Sequence, residues 1–189
     1  MTVFDEAVIF AVEKHSGMMR KRESTPYILH PLEVAAIVGT ISSDEELLAA
    51  AVLHDTVEDT DATMEEIERR FGPRVAMLVS SETEDKRAEL PPEESWRIRK
   101  EESLEKLKNA EDPAVKVLWL GDKLSNMRAL YRAWRVAGCG IWESFHQTDP
   151  AQQAWYYRSV DALLSELKGY EAWQELHALV EIMFSDTDR

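Results

Sequence analysis

Apolar residues recur every three or four positions along most of this chain, and no run of five or more alternates as a half-buried strand would require. That periodicity restricts the chain to helices packed on helices. Phe4, Val8, Ala11 and Val12 set the pattern for a first helix running to about Met18. Pro31 suits the first position of a second, with Val34, Ala35 and Val38 along one face. Asp44 is placed to cap a third, carrying Leu47, Leu48, Ala51 and Val52 down to Asp55. Thr63-Met64-Glu65-Glu66 reads as a capping box for a short helix that closes at Gly72, and Pro73 opens the next. Residues 82–92 are polar and end in two prolines, so they form a loop, and residues 93–109 form a charged helix with one buried stripe. Pro113 begins a long helix that Gly138-Cys139-Gly140 breaks, and two more helices are expected near residues 150–167 and 170–184. The expected fold class is all-α.

The 189 residues fit one domain on a prior of roughly 100–200 residues each, so residues 1–189 are expected to form a single unit. The longest stretch without Asp, Glu, Lys or Arg is residues 34–43, ten residues, where a membrane span needs about 20. The first residues carry acids where an export signal needs positive charge, and Cys139 has no companion for a disulfide or a thiolate zinc cluster. The expected location is the cytoplasm. With 22 Lys+Arg against 36 Asp+Glu, the net charge of −14 argues against nucleic acid as a partner and leaves a small phosphorylated molecule, given a local cationic site or a metal.

The densest chemistry lies in Leu53-His54-Asp55-Thr56-Val57-Glu58-Asp59. On one helix, His54/Glu58, Asp55/Glu58 and Asp55/Asp59 are neighbours, which gathers an imidazole and three carboxylates at the end of an apolar helix. Such a cluster is either a solvated acidic helix end or the start of a divalent-metal site, and its donors suit manganese, zinc or iron alike. His30, in the rigid turn TPYILHP (25–31), and Asp122, in GDKLSN (121–126), are available to complete it, with Asn126 four residues beyond Asp122 on the same face.

The ordered set His30, His54-Asp55, Glu58-Asp59, Asp122 resembles the HD-domain metal phosphohydrolases. The flanking words, Arg20-Lys21, TPYILHP, AAVLHDTVEDTDAT (50–63), Phe71-Gly72, TEDK (83–86) and GDKLSNMRAL (121–130), resemble the hydrolase domain of the RelA/SpoT family and its stand-alone relatives, the small alarmone hydrolases. The match runs from about residue 15 to residue 157 and is strongest over residues 15–132.

The resemblance implies an HD-domain helical bundle and a nucleotide substrate, (p)ppGpp, cleaved at its 3′-pyrophosphate by a stand-alone hydrolase. It implies one manganese ion held by His30, His54, Asp55 and Asp122, with Glu58 and Asp59 positioning and deprotonating the attacking water. It assigns substrate contacts to Arg20, expected to be exposed, and to Lys21, Lys86, Asn126 and Tyr156. The chain departs from the family pattern at residues 22–24, which lack a glycine, at Gly121, where relatives often have Ala, and at Ser125, where they often have His or Tyr. Those departures keep two alternatives in view: an HD phosphohydrolase of another nucleotide (an adenosine alarmone, or the 2′-phosphate of NADPH), and a nucleotide sensor without turnover. The aromatic-rich residues 135–147 are read as core or as the contact of a homo-oligomer.

Overall fold

A computed structural model of the chain describes residues 1–20, 24–85, 87 and 90–185. Its helices, in order, are α1 (Val3–Lys14), α2 (Leu29–Gly39), α3 (Glu45–Leu53), α4 (Thr56–Asp59), α5 (Met64–Phe71), α6 (Pro73–Glu82), α7 (Pro92–Lys108), α8 (Pro113–Ala137), α9 (Pro150–Leu163) and α10 (Glu171–Phe184), with 3-10 turns at Gly138–Ser144 and Ser165–Leu167. Among the described residues the only extended pairing is one antiparallel bridge, Met19 to Pro26. The fold is all-α, as the periodicity requires.

Local chemistry sets most boundaries. Thr2 Oγ1 accepts the N–H of Asp5, and the Asp5 carboxylate accepts the N–H of Thr2, a reciprocal cap worth about 1 kcal/mol. α1 stops at Lys14, short of Met18, because the chain turns through Gly17 at φ +78°. Asp44 accepts the N–H groups of Glu46 and Leu47 at the head of α3. α2 starts at Leu29, two residues before Pro31, whose missing N–H still falls in the unpaired first turn. α3 does not run on to Asp55: Thr56 Oγ1 donates to the Leu53 carbonyl at 2.6 Å, and the chain bends at His54 and Asp55 before α4 begins.

The helices sort into two compact units, Met1–Thr83 with Glu111–Ser125, and Glu84–Ala110 with Asn126–Arg189. In the first, α3 is the centre: Leu47 and residues 49–53 are all buried, and the helix packs on α1, α2 and α6. A helix apolar all round has no face to offer water, so it fills the core and its end delivers His54 there. α8 approaches α2 closely at Gly121, where a Cβ would lie 2.8 Å from Val38 Cγ2 and 3.2 Å from the Val34 carbonyl oxygen. The glycine at 121 is thus what lets the next residue, Asp122, reach α2. Arg74 of α6 pairs with Asp44 at 2.7 Å and Glu46 at 3.0 Å, tying α6 to the head of α3.

The second unit is built on aromatic residues of α7, α9 and α10. Trp96 meets Trp155 and Tyr156, Trp142 stacks on Phe184 at 5.8 Å, and Tyr157 stacks on the same Phe184. Ile141 and Trp142 are buried here, so this part of the aromatic-rich segment is core. No helix among the described residues is long and apolar enough to cross a membrane.

Candidate metal centre

Four side chains from the first unit converge. His30 is the second residue of α2, His54 follows α3, Asp55 heads α4, and Asp122 sits within α8. Asp122 Oδ1 lies 3.1 Å from His30 Nε2 and 3.5 Å from His54 Nε2. Asp55 Oδ2 lies 3.4 and 3.1 Å from the same two nitrogens. His30, His54 and Asp122 are buried, and their donor atoms all fall within 4.8 Å of one another.

Backbone and hydroxyl partners decide which imidazole nitrogen faces the cluster. His54 Nδ1 donates to the Ala51 carbonyl at 2.9 Å. His30 Nδ1 donates to Ser125 Oγ at 2.9 Å, and the Ser125 hydroxyl donates onward to Glu33 Oε2 at 2.8 Å. With each Nδ1 carrying the proton, both Nε2 lone pairs point inward, 3.3 Å apart. Two lone pairs at that separation, flanked by two carboxylate oxygens, repel unless a proton or a cation lies among them. The donor set, two imidazole nitrogens and carboxylate oxygens from three stretches of chain, fits a divalent transition metal.

The electrostatics carry the same signature. Burial opposes charge on His54, yet Asp55 and Asp122 hold its pKa well above the usual imidazole value. His30 is raised too, burial again being outweighed by Asp122 and Asp55. Burial would push both aspartates up, but His54 and His30 hold Asp55 well below the carboxylate range, and Lys123 with the two imidazoles does the same for Asp122. Groups whose charge states depend on each other this strongly are typical of sites that exchange protons for a cation.

Around these four stands a ring of residues that sequence reasoning left without a role. Tyr27 donates its hydroxyl to Asp55 Oδ2 at 2.6 Å and also reaches Asp59 Oδ2 at 3.0 Å, joining a cluster residue to the acidic pair. Its position three residues before His30 was the available signal. His15 is buried with its ring 5.0 Å from that of Tyr27; neither ring nitrogen has a hydrogen-bond partner among the described residues, and burial lowers its pKa. Lys123 Nζ donates to Asp122 Oδ2 at 2.5 Å and to Glu82 Oε2 at 3.2 Å. Burial, with the charge of nearby Asp122 adding to it, pushes the Glu82 carboxyl up to about 7 against the pull of Lys123. Nothing in the sequence couples Glu82 to Lys123, 41 positions apart, before the fold is known.

The remaining sequence-assigned residues are placed as follows. Glu58 is half-buried on α4, and Asp59 is exposed and held by Tyr27. Arg20 is half-buried rather than exposed, its N–H donating to the Thr25 carbonyl at 2.9 Å beside the Met19–Pro26 bridge. Asn126 lies one turn beyond Asp122 on α8, half-buried. Tyr156 is 4% exposed in the second unit, 6.2 Å from Trp96 and 5.4 Å from Tyr157 between ring centroids, with Lys100 Nζ 4.8 Å over its ring. Lys21 and Lys86 lie outside the described residues.

Known proteins share both the sequence and the fold. The human guanosine-3′,5′-bis(diphosphate) 3′-pyrophosphohydrolase MESH1 is 44% identical over 130 residues, 67% of this chain and 69% of that protein. The Aquifex aeolicus guanosine-3′,5′-bis(diphosphate) 3′-pyrophosphohydrolase is 44% identical over 122 residues, but the chain spans only 17% of that longer protein's length. Among solved structures, a metazoan ortholog of SpoT, described as hydrolysing ppGpp and playing a role in starvation responses, superposes with a TM-score of 0.72. That superposition covers 99% of this chain and 96% of the other at 30% identity. A Listeria monocytogenes protein superposes equally well, with a TM-score of 0.72 at 32% identity over 83% of this chain and 99% of its own. The family described as HD domain matches residues 7–139, well over half of the sequence, and the chain therefore belongs to the HD-domain family.

Proposed function

We propose that the chain is a metal-dependent guanosine-3′,5′-bis(diphosphate) 3′-pyrophosphohydrolase, releasing pyrophosphate from the ribose 3′ oxygen of (p)ppGpp and leaving GDP or GTP. The observation that carries this reading is the facing pair of Nε2 atoms, 3.3 Å apart with a carboxylate oxygen beside each, in a chain whose human and Aquifex aeolicus relatives bear that activity in their names.

His30, His54, Asp55 and Asp122 would hold one divalent cation, manganese by the family resemblance, since two nitrogen and two oxygen donors suit zinc or iron as well. A cation there supplies a lowered pKa for water at neutral pH and polarises a phosphoryl oxygen. Two neutral imidazoles and two carboxylates carry a net charge that a divalent ion balances. Glu58 and Asp59 are assigned to take the proton of the attacking water. Asp59 is suited to that task because Tyr27 fixes its carboxylate against Asp55, so a proton acceptor stands at a set distance from the cluster.

Binding a polyanion on a chain of net charge −14 requires cations at the point of entry. Arg20 and Lys21, just before the turn that carries His30, are assigned to the phosphates together with Lys86, and Asn126 to the nucleotide. Tyr156 is assigned to the nucleotide by the resemblance, while its burial supports a place in the core.

The test is a substrate profile of the purified protein with manganese: ppGpp, pppGpp, an adenosine 3′-pyrophosphate analogue and NADPH, following pyrophosphate and phosphate release. Preferential release of pyrophosphate from the guanosine compounds supports the reading. Turnover of NADPH or the adenosine analogue with none of ppGpp overturns it.

A further inference from the structure

Glu82 ends α6 as a buried carboxylate, 4% exposed. Burying an ionisable group without a full set of partners is costly, so its placement calls for a reason. Its Oε2 accepts from Lys123 Nζ at 3.2 Å, while its Oε1 is buried with no hydrogen-bond partner among the described residues. The same Lys123 ammonium donates to Asp122 Oδ2 at 2.5 Å and lies 4.4 Å from the centre of the buried Trp119 ring. Among these contacts of Lys123, Asp122 belongs to the cluster, while Glu82 and Trp119 do not. Asp122 uses its two oxygens differently: Oδ2 meets Lys123, and Oδ1 faces His30 and His54.

We infer that Glu82 tunes the cation site through Lys123: it sets a negative charge against the ammonium that lies on Asp122 Oδ2, and so offsets a positive charge that would otherwise repel the cation. This inference rests on the cation site proposed above and extends it to a residue on a different helix. The charge count is the core of the argument. Two imidazoles, two carboxylates and one divalent ion sum to zero, and Lys123 with Glu82 adds zero; without Glu82, an ammonium that this carboxylate no longer balances stands one carboxylate away from the ion. Outer partners of this kind commonly set metal affinity by about 10–100-fold.

The experiment is calorimetric titration of chelator-stripped protein with Mn²⁺ at pH 8, where the Glu82 carboxyl is ionised, comparing wild type, Glu82→Gln and the double variant Glu82→Gln/Lys123→Met. Glu82→Gln, which keeps the side-chain shape, is expected to bind Mn²⁺ about tenfold more weakly, with a cooperative melting transition showing that the stripped variant is folded. The double variant, which removes the ammonium as well, is expected to recover most of the lost affinity. Wild-type affinity in Glu82→Gln overturns the inference while leaving the cation site standing. A double variant as weak as the single one also overturns it, because the loss then comes from packing and not from charge. Wild-type protein that takes up no Mn²⁺ overturns the site itself, a different result from either.

Discussion

His30 and His54, 24 residues apart in sequence, face each other through Nε2 atoms 3.3 Å apart, and each is held that way by an acceptor at its own Nδ1. Removing the inward acceptors should therefore abolish metal uptake rather than weaken folding first. Asp122→Asn keeps the shape of the residue but gives up a carboxylate oxygen that lies 3.1 Å from His30. Metal affinity and turnover are expected to fall together, by more than about a hundredfold, since a direct ligand should matter more than an outer partner. Metal content measured on the purified variant checks this; a full complement would remove Asp122 from the ligand set.

The outward acceptor of His30 has a separate cost. Ser125→Ala leaves the buried Nδ1–H of His30 without an acceptor and Glu33 without the Ser125 donor. Leaving a buried donor unpaired costs about 1–3 kcal/mol, and metal affinity should drop about tenfold as the ring loosens. Thermal unfolding and Mn²⁺ titration of the same sample read the two effects independently.

Tyr27→Phe removes only the hydroxyl that joins Asp55 to Asp59 and leaves the ring beside His15 and His30. Turnover is expected to fall about 10–100-fold, with KM changed little, if the hydroxyl serves to orient Asp59 as the proposed proton acceptor. A rise in KM at constant kcat would move Tyr27 into the substrate site.

Gly121→Ala places a methyl 2.8 Å from Val38 Cγ2 and 3.2 Å from the Val34 carbonyl oxygen. The helices must part slightly, at about 1–3 kcal/mol, and Asp122 is carried away from His30 as they do. Lowered melting temperature and weakened metal uptake should appear together; the first without the second would show that the α2–α8 approach does not set the position of Asp122.

The protein stripped of metal should show a stability window bounded on both sides. Burial opposes charge on His30 and His54, but Asp55 and Asp122 raise both pKa values. Their contribution is complete below the unfolded imidazole value and disappears as pH rises through the raised folded values. Asp55 and Asp122 are depressed despite burial, Asp55 chiefly by His54 and Asp122 chiefly by Lys123. Their contribution is complete above the unfolded carboxylate value and is lost as pH falls through the depressed folded values. The joint contribution of these four groups to the stripped protein should therefore be greatest between about pH 4 and about pH 6.5 and should shrink on the alkaline side. Saturating Mn²⁺ takes the place of the imidazole protons and should remove that alkaline loss. Melting curves from pH 5 to pH 9, with chelator and with Mn²⁺, make the comparison; parallel curves would contradict it.

How much of this was legible in the sequence depends on range. Helix starts were legible because their causes are local: Asp44, Thr63, Pro73 and Pro113 act on the residues next to them. Helix ends were less so. A helix running through Asp55 was the natural reading of the apolar pattern, and the Thr56 hydroxyl bond to Leu53 that bends the chain at His54 and Asp55 is invisible to periodicity. His30, His54, Asp55 and Asp122 were identifiable from a resemblance in ordered words, and the fold brings all four together. The residues that orient them were not identifiable. Glu33 meets Ser125 across 92 positions and Glu82 meets Lys123 across 41, contacts that exist only once α2, α6 and α8 are packed. The surroundings of Tyr156 were not readable either, because an aromatic on a helix can face solvent or core, and its packing against Trp96 exists only in the folded chain.

The most direct measurement is anomalous scattering from manganese in crystals of the protein grown with Mn²⁺. One manganese peak is expected in the first unit, within bonding distance of His30 Nε2, His54 Nε2, Asp55 and Asp122. A peak elsewhere, or none in crystals of protein that hydrolyses ppGpp, would contradict the account.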